Sequence, residues 1–158
     1  MKLLRAKRIQ LVTVILVASC LVLIGALAPD SVVLRRKLME SNNSAVAEAL
    51  NKAIKEKNFA EIEGKCNVIL ENMDKVLDFF PAGSLSENSR AKPEIWAKWG
   101  EFSKHPANVR KAAQELAAAA KAGDEEAVKV KFKAVGEACK GCHESFRAPK
   151  PKTGEEFH

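Results

Sequence analysis

Asp124 to Phe146 reads DEEAVKVKFKAVGEACKGCHESF, and its apolar positions decide the fold. Val128, Phe132, Val135, Cys139, Cys142 and Phe146 follow one another at steps of four, three, four, three and four. That spacing keeps every member on one stripe of an α-helix. Asp124 stands where an N-cap belongs, and Gly123 just before it suits the end of a preceding helix. The spacing therefore predicts a closing helix whose buried seam includes both thiols.

Three more stripes lie upstream. Ile95, Trp99, Phe102, Val109, Ala113, Leu116 and Ala120 give a third helix that opens at Pro93, a residue suited to a first turn. His105-Pro106 falls inside it, so a kink or short break is expected there. Ile62, Cys66, Ile69, Met73, Val76 or Leu77, and Phe80 give a second helix, stopped by Pro81; residues 81–92 are a loop by composition. Met39, Val46, Leu50 and Ile54 share a face of a first helix from about Ser31 to Lys57. A chain leaning on Ala, Lys, Glu and Leu, with 6% aromatics and no tyrosine, argues against strands. The expected fold is all-α: an antiparallel four-helix bundle, up-down-up-down, over residues 29–147, with a flexible tail at 148–158.

The formal charge is +6 over 158 residues, which raises the question of an acidic partner. Residues 1–28 hold Lys2, Arg5, Lys7 and Arg8 and no acid, leaving 22 basic residues against 20 acidic ones in the remainder. The body is nearly neutral and carries no basic patch with interleaved aromatics, so a nucleic-acid partner is excluded. The basic start instead precedes an apolar run of 18 residues, Leu11 to Ala28. As a helix this run is about 27 Å long, close to a hydrocarbon core of roughly 30 Å. Residues 1–28 are thus read as an export segment with three fates open: cleavage after Ala26-Leu27-Ala28, lipidation at Cys20 in Val17-Ala18-Ser19-Cys20, or retention as a membrane anchor through residues 11–28. All three put the body outside the cytoplasm, in the periplasm, either soluble or tethered to the inner membrane.

Cys139-Lys140-Gly141-Cys142-His143 is C-x-x-C-H, the attachment signature of haem c. Two thiols three residues apart reach the two vinyl groups on one porphyrin edge, and the adjoining imidazole meets the iron. One haem c, bound through Cys139 and Cys142 with His143 on the metal, is the expected cofactor. A structural zinc site needs four ligands, and Cys66 could complete a three-Cys, one-His set only if the second helix supplied it. A thioredoxin-like site would need an α/β pattern, which is absent.

With the motif near the C-terminus and followed by Phe146-Arg147, the sequence resembles the cytochrome c′ superfamily. Phe80-Pro81, Pro93-Glu94-Ile95-Trp96 with Phe102, and Arg35 four residues before Met39 carry the resemblance across residues 31–147, nearest to the low-spin cytochrome c-556 type. It implies that the side chain at Met39 faces the iron opposite His143: typical cytochromes c′ leave that face unligated beneath an apolar side chain, and the c-556 type supplies a methionine. A thioether ligand favours ferrous iron. The alternative for Met39 is a core filler, which is the reading given to Met73. Arg35 reaches a haem propionate or is a solvated cation; Arg147, one turn past His143, approaches the proximal edge or a propionate; Trp96 packs near the haem, as the resemblance implies, or is plain core. Cys66 is read as a buried free thiol, and His105 and His158 receive no role.

These readings predict an electron carrier with His143 and Met39 as axial ligands, exchanging single electrons with a donor and an acceptor protein, and no enzyme. The alternative function is a five-coordinate cytochrome c′ that binds NO or CO as a sensor or scavenger. The resemblance also implies a homodimer through the first two helices.

Overall fold

The computed structural model describes residues 30–86 and 89–150, except for the side chains of residues 44–46. The expected export or anchor segment, with Cys20, lies outside the described residues, as does most of the C-terminal tail. Among the described residues no helix is long and apolar enough to cross a membrane.

The first bundle helix comprises α1 (Ser31–Glu40), a π-helical stretch (Ser41–Glu48) and α2 (Ala49–Glu56). Lys57 ends it in the left-handed region at φ 55°, donating its N–H to the carbonyls of Ala53 and Ile54. Asn58 opens the next helix, its side chain accepting from the Glu61 N–H at 3.2 Å. That helix, α3 (Phe59–Lys75), tightens into a 3-10 turn (Val76–Phe79) and stops before Pro81, whose ring cannot continue it. The predicted stripe is buried in full: Ile62, Cys66, Ile69, Met73, Val76 and Phe80.

The expected third helix is more broken than its pattern. Short helices α4 (Glu94–Ala97) and α5 (Trp99–Phe102) precede the long α6 (His105–Lys121). Pro106 sits in the first turn of α6, where its missing N–H costs nothing, so the break at His105-Pro106 falls where expected. An additional break at Lys98 (φ −118°, ψ 40°) interrupts the stripe, and this corrects the placement of Trp99: it is 39% exposed, whereas Ile95 and Phe102 on either side are buried. Gly123 (φ 68°) turns the chain into α7 (Glu125–Phe146), where Asp124 Oδ1 accepts from the Ala127 N–H at 2.9 Å.

The four long helices close a ring, with α2 against α3, α3 against α6, α6 against α7, and α7 against α2. Tight turns at Lys57-Asn58 and Gly123-Asp124 and one longer connection between α3 and α6 make it the antiparallel four-helix bundle. Leu50, Ala53, Ile62, Cys66, Ala113, Leu116, Ala120 and Val128 fill the centre, each at 1% exposure or less. Alanines at 112, 113, 119 and 120 on the inner face of α6 let its backbone approach both neighbours. Just past Arg147, Ala148 is held through mutual backbone and side-chain hydrogen bonds with Arg90.

Leu116, with no exposed surface, touches the middle of this core. Leu116→Ala leaves a cavity that costs about 2–5 kcal/mol, so chemical denaturation shifts to clearly lower denaturant while helical content at zero denaturant stays unchanged.

Candidate haem site

The C-terminal half of α7 departs from the sequence expectation in one respect. Val128, Val135 and Phe146 are buried, but Phe132, Cys139, Cys142 and His143 are only half-buried. Phe132 and the two cysteines pack against the core on one side and remain open on the other. The thiols thus lie at the rim of the bundle and not within its dry centre, because α7 closes against α6 more tightly than against the first helix.

Cys139 and Cys142 form no disulfide, and neither does the buried Cys66. Burial pushes the Cys139 thiol above its ordinary range, and burial with the neighbouring Cys139 pushes Cys142 up to about 11. Both therefore stand as protonated, weakly nucleophilic thiols. His143 moves the other way: burial, then the positive charges of Arg147 and Arg90, hold its pKa below the usual histidine value. Its imidazole is neutral, which is the form that ligates a metal. Two unpaired thiols at the i and i+3 positions of one helix, with a neutral imidazole beside them and an open side on the seam, fit covalent haem. Cys66 does not join them. Among the described residues no three His, Cys, Asp or Glu side chains converge on a metal-binding position.

Met39 is half-buried on α1 and packs against the core cluster, one turn after Arg35. Arg35 itself is 4% exposed, which overturns the solvated alternative. Its Nη1 donates to Phe79 O at 3.4 Å and Ser84 Oγ at 3.0 Å, and its Nη2 to Ser84 O and, at 2.8 Å, to Ser89 Oγ. The guanidinium also stacks 4.8 Å from the centre of the Phe80 ring. Nothing in the sequence pattern signalled these partners, because serines 49 and 54 residues away leave no periodic trace.

Trp96 is half-buried, and its Nε1–H donates to Phe80 O at 3.1 Å and Pro81 O at 3.0 Å. Arg147 is exposed; its backbone N–H donates to His143 O at 3.1 Å and its charge acts on the imidazole. An open groove of about 500 Å³ lies elsewhere, lined by Leu77, Pro81, Trp96 and Trp99 among others. Neither cysteine of the motif nor His143 borders it.

A sequence profile described as Cytochrome C′ matches residues 30–147. The chain belongs to the cytochrome c′ family. It is 29% identical over 145 residues to a cytochrome c′ of Rhodospirillum rubrum, covering 90% of this chain and 99% of that one. Its fold is similar to a solved cytochrome c′ described as having a ligand-controlled dimer dissociation, with a TM-score of 0.70, 29% identity and coverage of 78% and 98% of the two chains. It is likewise similar to a nitric oxide complex of a variant cytochrome c prime from Alcaligenes xylosoxidans, with a TM-score of 0.61, 25% identity and coverage of 73% and 94%. As a cytochrome c′ family member it is a haem c protein, and Cys139 and Cys142 are its cysteine pair.

Alkylation reads this arrangement directly. Burial, aided by the Glu63 charge, raises the Cys66 thiol to about 11, so iodoacetamide leaves it unmodified in the folded protein. In denaturant, peptide mapping of the haem-carrying protein finds Cys66 alkylated and Cys139 and Cys142 unreactive, because thioethers hold no thiolate.

Proposed function

We propose that this chain is a periplasmic haem c protein of the five-coordinate kind, which holds its iron from one side and binds nitric oxide or carbon monoxide on the other. The observation that carries the reading is the family match across 30–147, which covers the whole bundle. The nitric oxide complex of a neighbour with the same fold supports it further. Typical members of the family, as the sequence resemblance implied, leave the face opposite the histidine open to such ligands.

The haem iron, when bound, supplies the site for the diatomic ligand and for a single electron. The chain's own residues do the rest. Cys139 and Cys142 fix the porphyrin edge to α7 so that it cannot dissociate. His143, held neutral by burial and by Arg147 and Arg90, offers one nitrogen to the metal without first losing a proton. Val32, Leu38 and Met39 bring apolar side chains to the inward side of α1 beside the buried Arg35, a lining that favours small uncharged ligands. Arg35 remains the candidate partner of a propionate, and Trp96 the candidate packing residue beside the ring. The export reading of residues 1–28 supports the periplasmic location, where haem c is attached, with or without a membrane tether. A homodimer of the described bundle is proposed on the sequence resemblance.

A second reading has its own observation. Met39 stands four residues after Arg35 on the half-buried side of α1, where a thioether sulfur would complete a six-coordinate electron carrier serving a donor and an acceptor protein. Visible spectra of the haem-carrying protein separate the two. The five-coordinate reading expects a high-spin ferric form, a ferrous form that takes up one CO or NO, and no change of spin state in Met39→Ala. A low-spin spectrum in both oxidation states, turned high-spin by Met39→Ala, overturns it in favour of the electron carrier.

A further inference from the structure

The last four carbonyls of a helix have no partners within it. At the end of α7, which carries His143, all four are matched, and three of them by one residue more than fifty positions away. His143 O accepts from the Arg147 N–H, Glu144 O and Ser145 O accept from Lys92 Nζ at 3.3 and 3.1 Å, and Phe146 O accepts from the Lys92 N–H at 3.0 Å. The Lys92 charge also lies at the negative end of the helix dipole. Around it the chain is held as a short antiparallel pair, with a bridge between Ala91 and Arg147. The Ala148 N–H donates to Arg90 O at 2.8 Å, and Arg90 Nε donates to Ala148 O at 2.8 Å.

The upstream end of this short segment is fixed by α1. Ser89 Oγ accepts from the Ala91 N–H at 3.2 Å and from Arg35 Nη2 at 2.8 Å. Arg35 is buried, so its grip on Ser89 is shielded from competing water. A continuous series of short contacts thus runs from α1, one turn before Met39, through Ser89 to Lys92, and into the turn beneath His143.

The geometry points to Ser89–Lys92 as a strap, with Arg35 and Lys92 as positioning residues that set the orientation of the His143 imidazole from the first helix and from the loop beneath α7. The inference rests on His143 being the proximal ligand, as proposed above. It assigns Arg35 a task besides its candidate propionate contact: the residue ties the helix that bears Met39 to the helix that bears His143. A change on one face of the haem is then felt on the other through the strap.

Ser89→Ala is the decisive variant, because it removes the central hydroxyl without changing charge; Arg35→Gln and Lys92→Met test the two ends. In the full-length haem-carrying protein, amide hydrogen exchange at Arg147 and Ala148 is expected to quicken roughly tenfold in Ser89→Ala, the effect of losing about one hydrogen bond's worth of local stability. The g values of the ferric electron paramagnetic resonance spectrum, which register the orientation of an axial imidazole, are expected to shift in the same variant. The Ser89→Ala, Lys92→Met pair is expected to exceed the larger single effect only slightly, as for members of one network. Unchanged exchange and unchanged g values in folded Ser89→Ala would overturn the strap. Faster exchange with unmoved g values would overturn the positioning role. Absence of any axial-histidine signature in the unaltered protein would instead contradict the ligation of His143, and exchange would still decide whether the strap exists.

Discussion

The whole arrangement depends on the seam of α7, which has to satisfy two demands along one helix. Its first half must be apolar enough to close the bundle, and Val128 and Val135 do this against the interior faces of the neighbouring helices. Its second half must stay partly open, so that the two cysteines reach a large flat group. Half-burial of Phe132, Cys139, Cys142 and His143 on the same stripe is how one sequence period meets both conditions.

Below the motif, the seam is locked by rings. Phe146 lies edge-on to Phe102 at 5.3 Å and to His105 at 5.6 Å, and Phe102 in turn meets Phe80 at 4.9 Å and Trp99 at 5.5 Å. This knot joins the end of α3, α5, the start of α6 and the end of α7. It explains why His105, which carried no sequence signal for a site, is half-buried beside the haem-linking helix. Its place there is that of an aromatic packing partner.

The bundle was legible because each long helix buries a stripe at a regular period, and the stripe of α3 is buried residue for residue. The caps at Asn58 and Asp124 and the glycine at Gly123 follow from local chemistry in the same way. Legibility failed where placement depends on distant backbone. Trp99 fits the stripe of the third helix, but a break at Lys98 turns it outward. Arg35 looks like one of three adjacent surface cations, and only the fold brings Ser84 and Ser89 to it. Lys92 gave no signal at all, since nothing in a loop lysine foretells the carbonyls it will meet. Of the site, the cysteine pair was readable from its spacing, whereas the partners that Arg35 and Lys92 meet were not.

The central claim is that the α7 seam holds one haem through Cys139 and Cys142. The intact mass of the protein, measured under denaturing conditions, tests it most directly. The account predicts the polypeptide plus a single haem, reverting to the polypeptide alone when both cysteines are replaced by serine. A protein whose mass shows no added group, with the two thiols free or joined to each other, would contradict it.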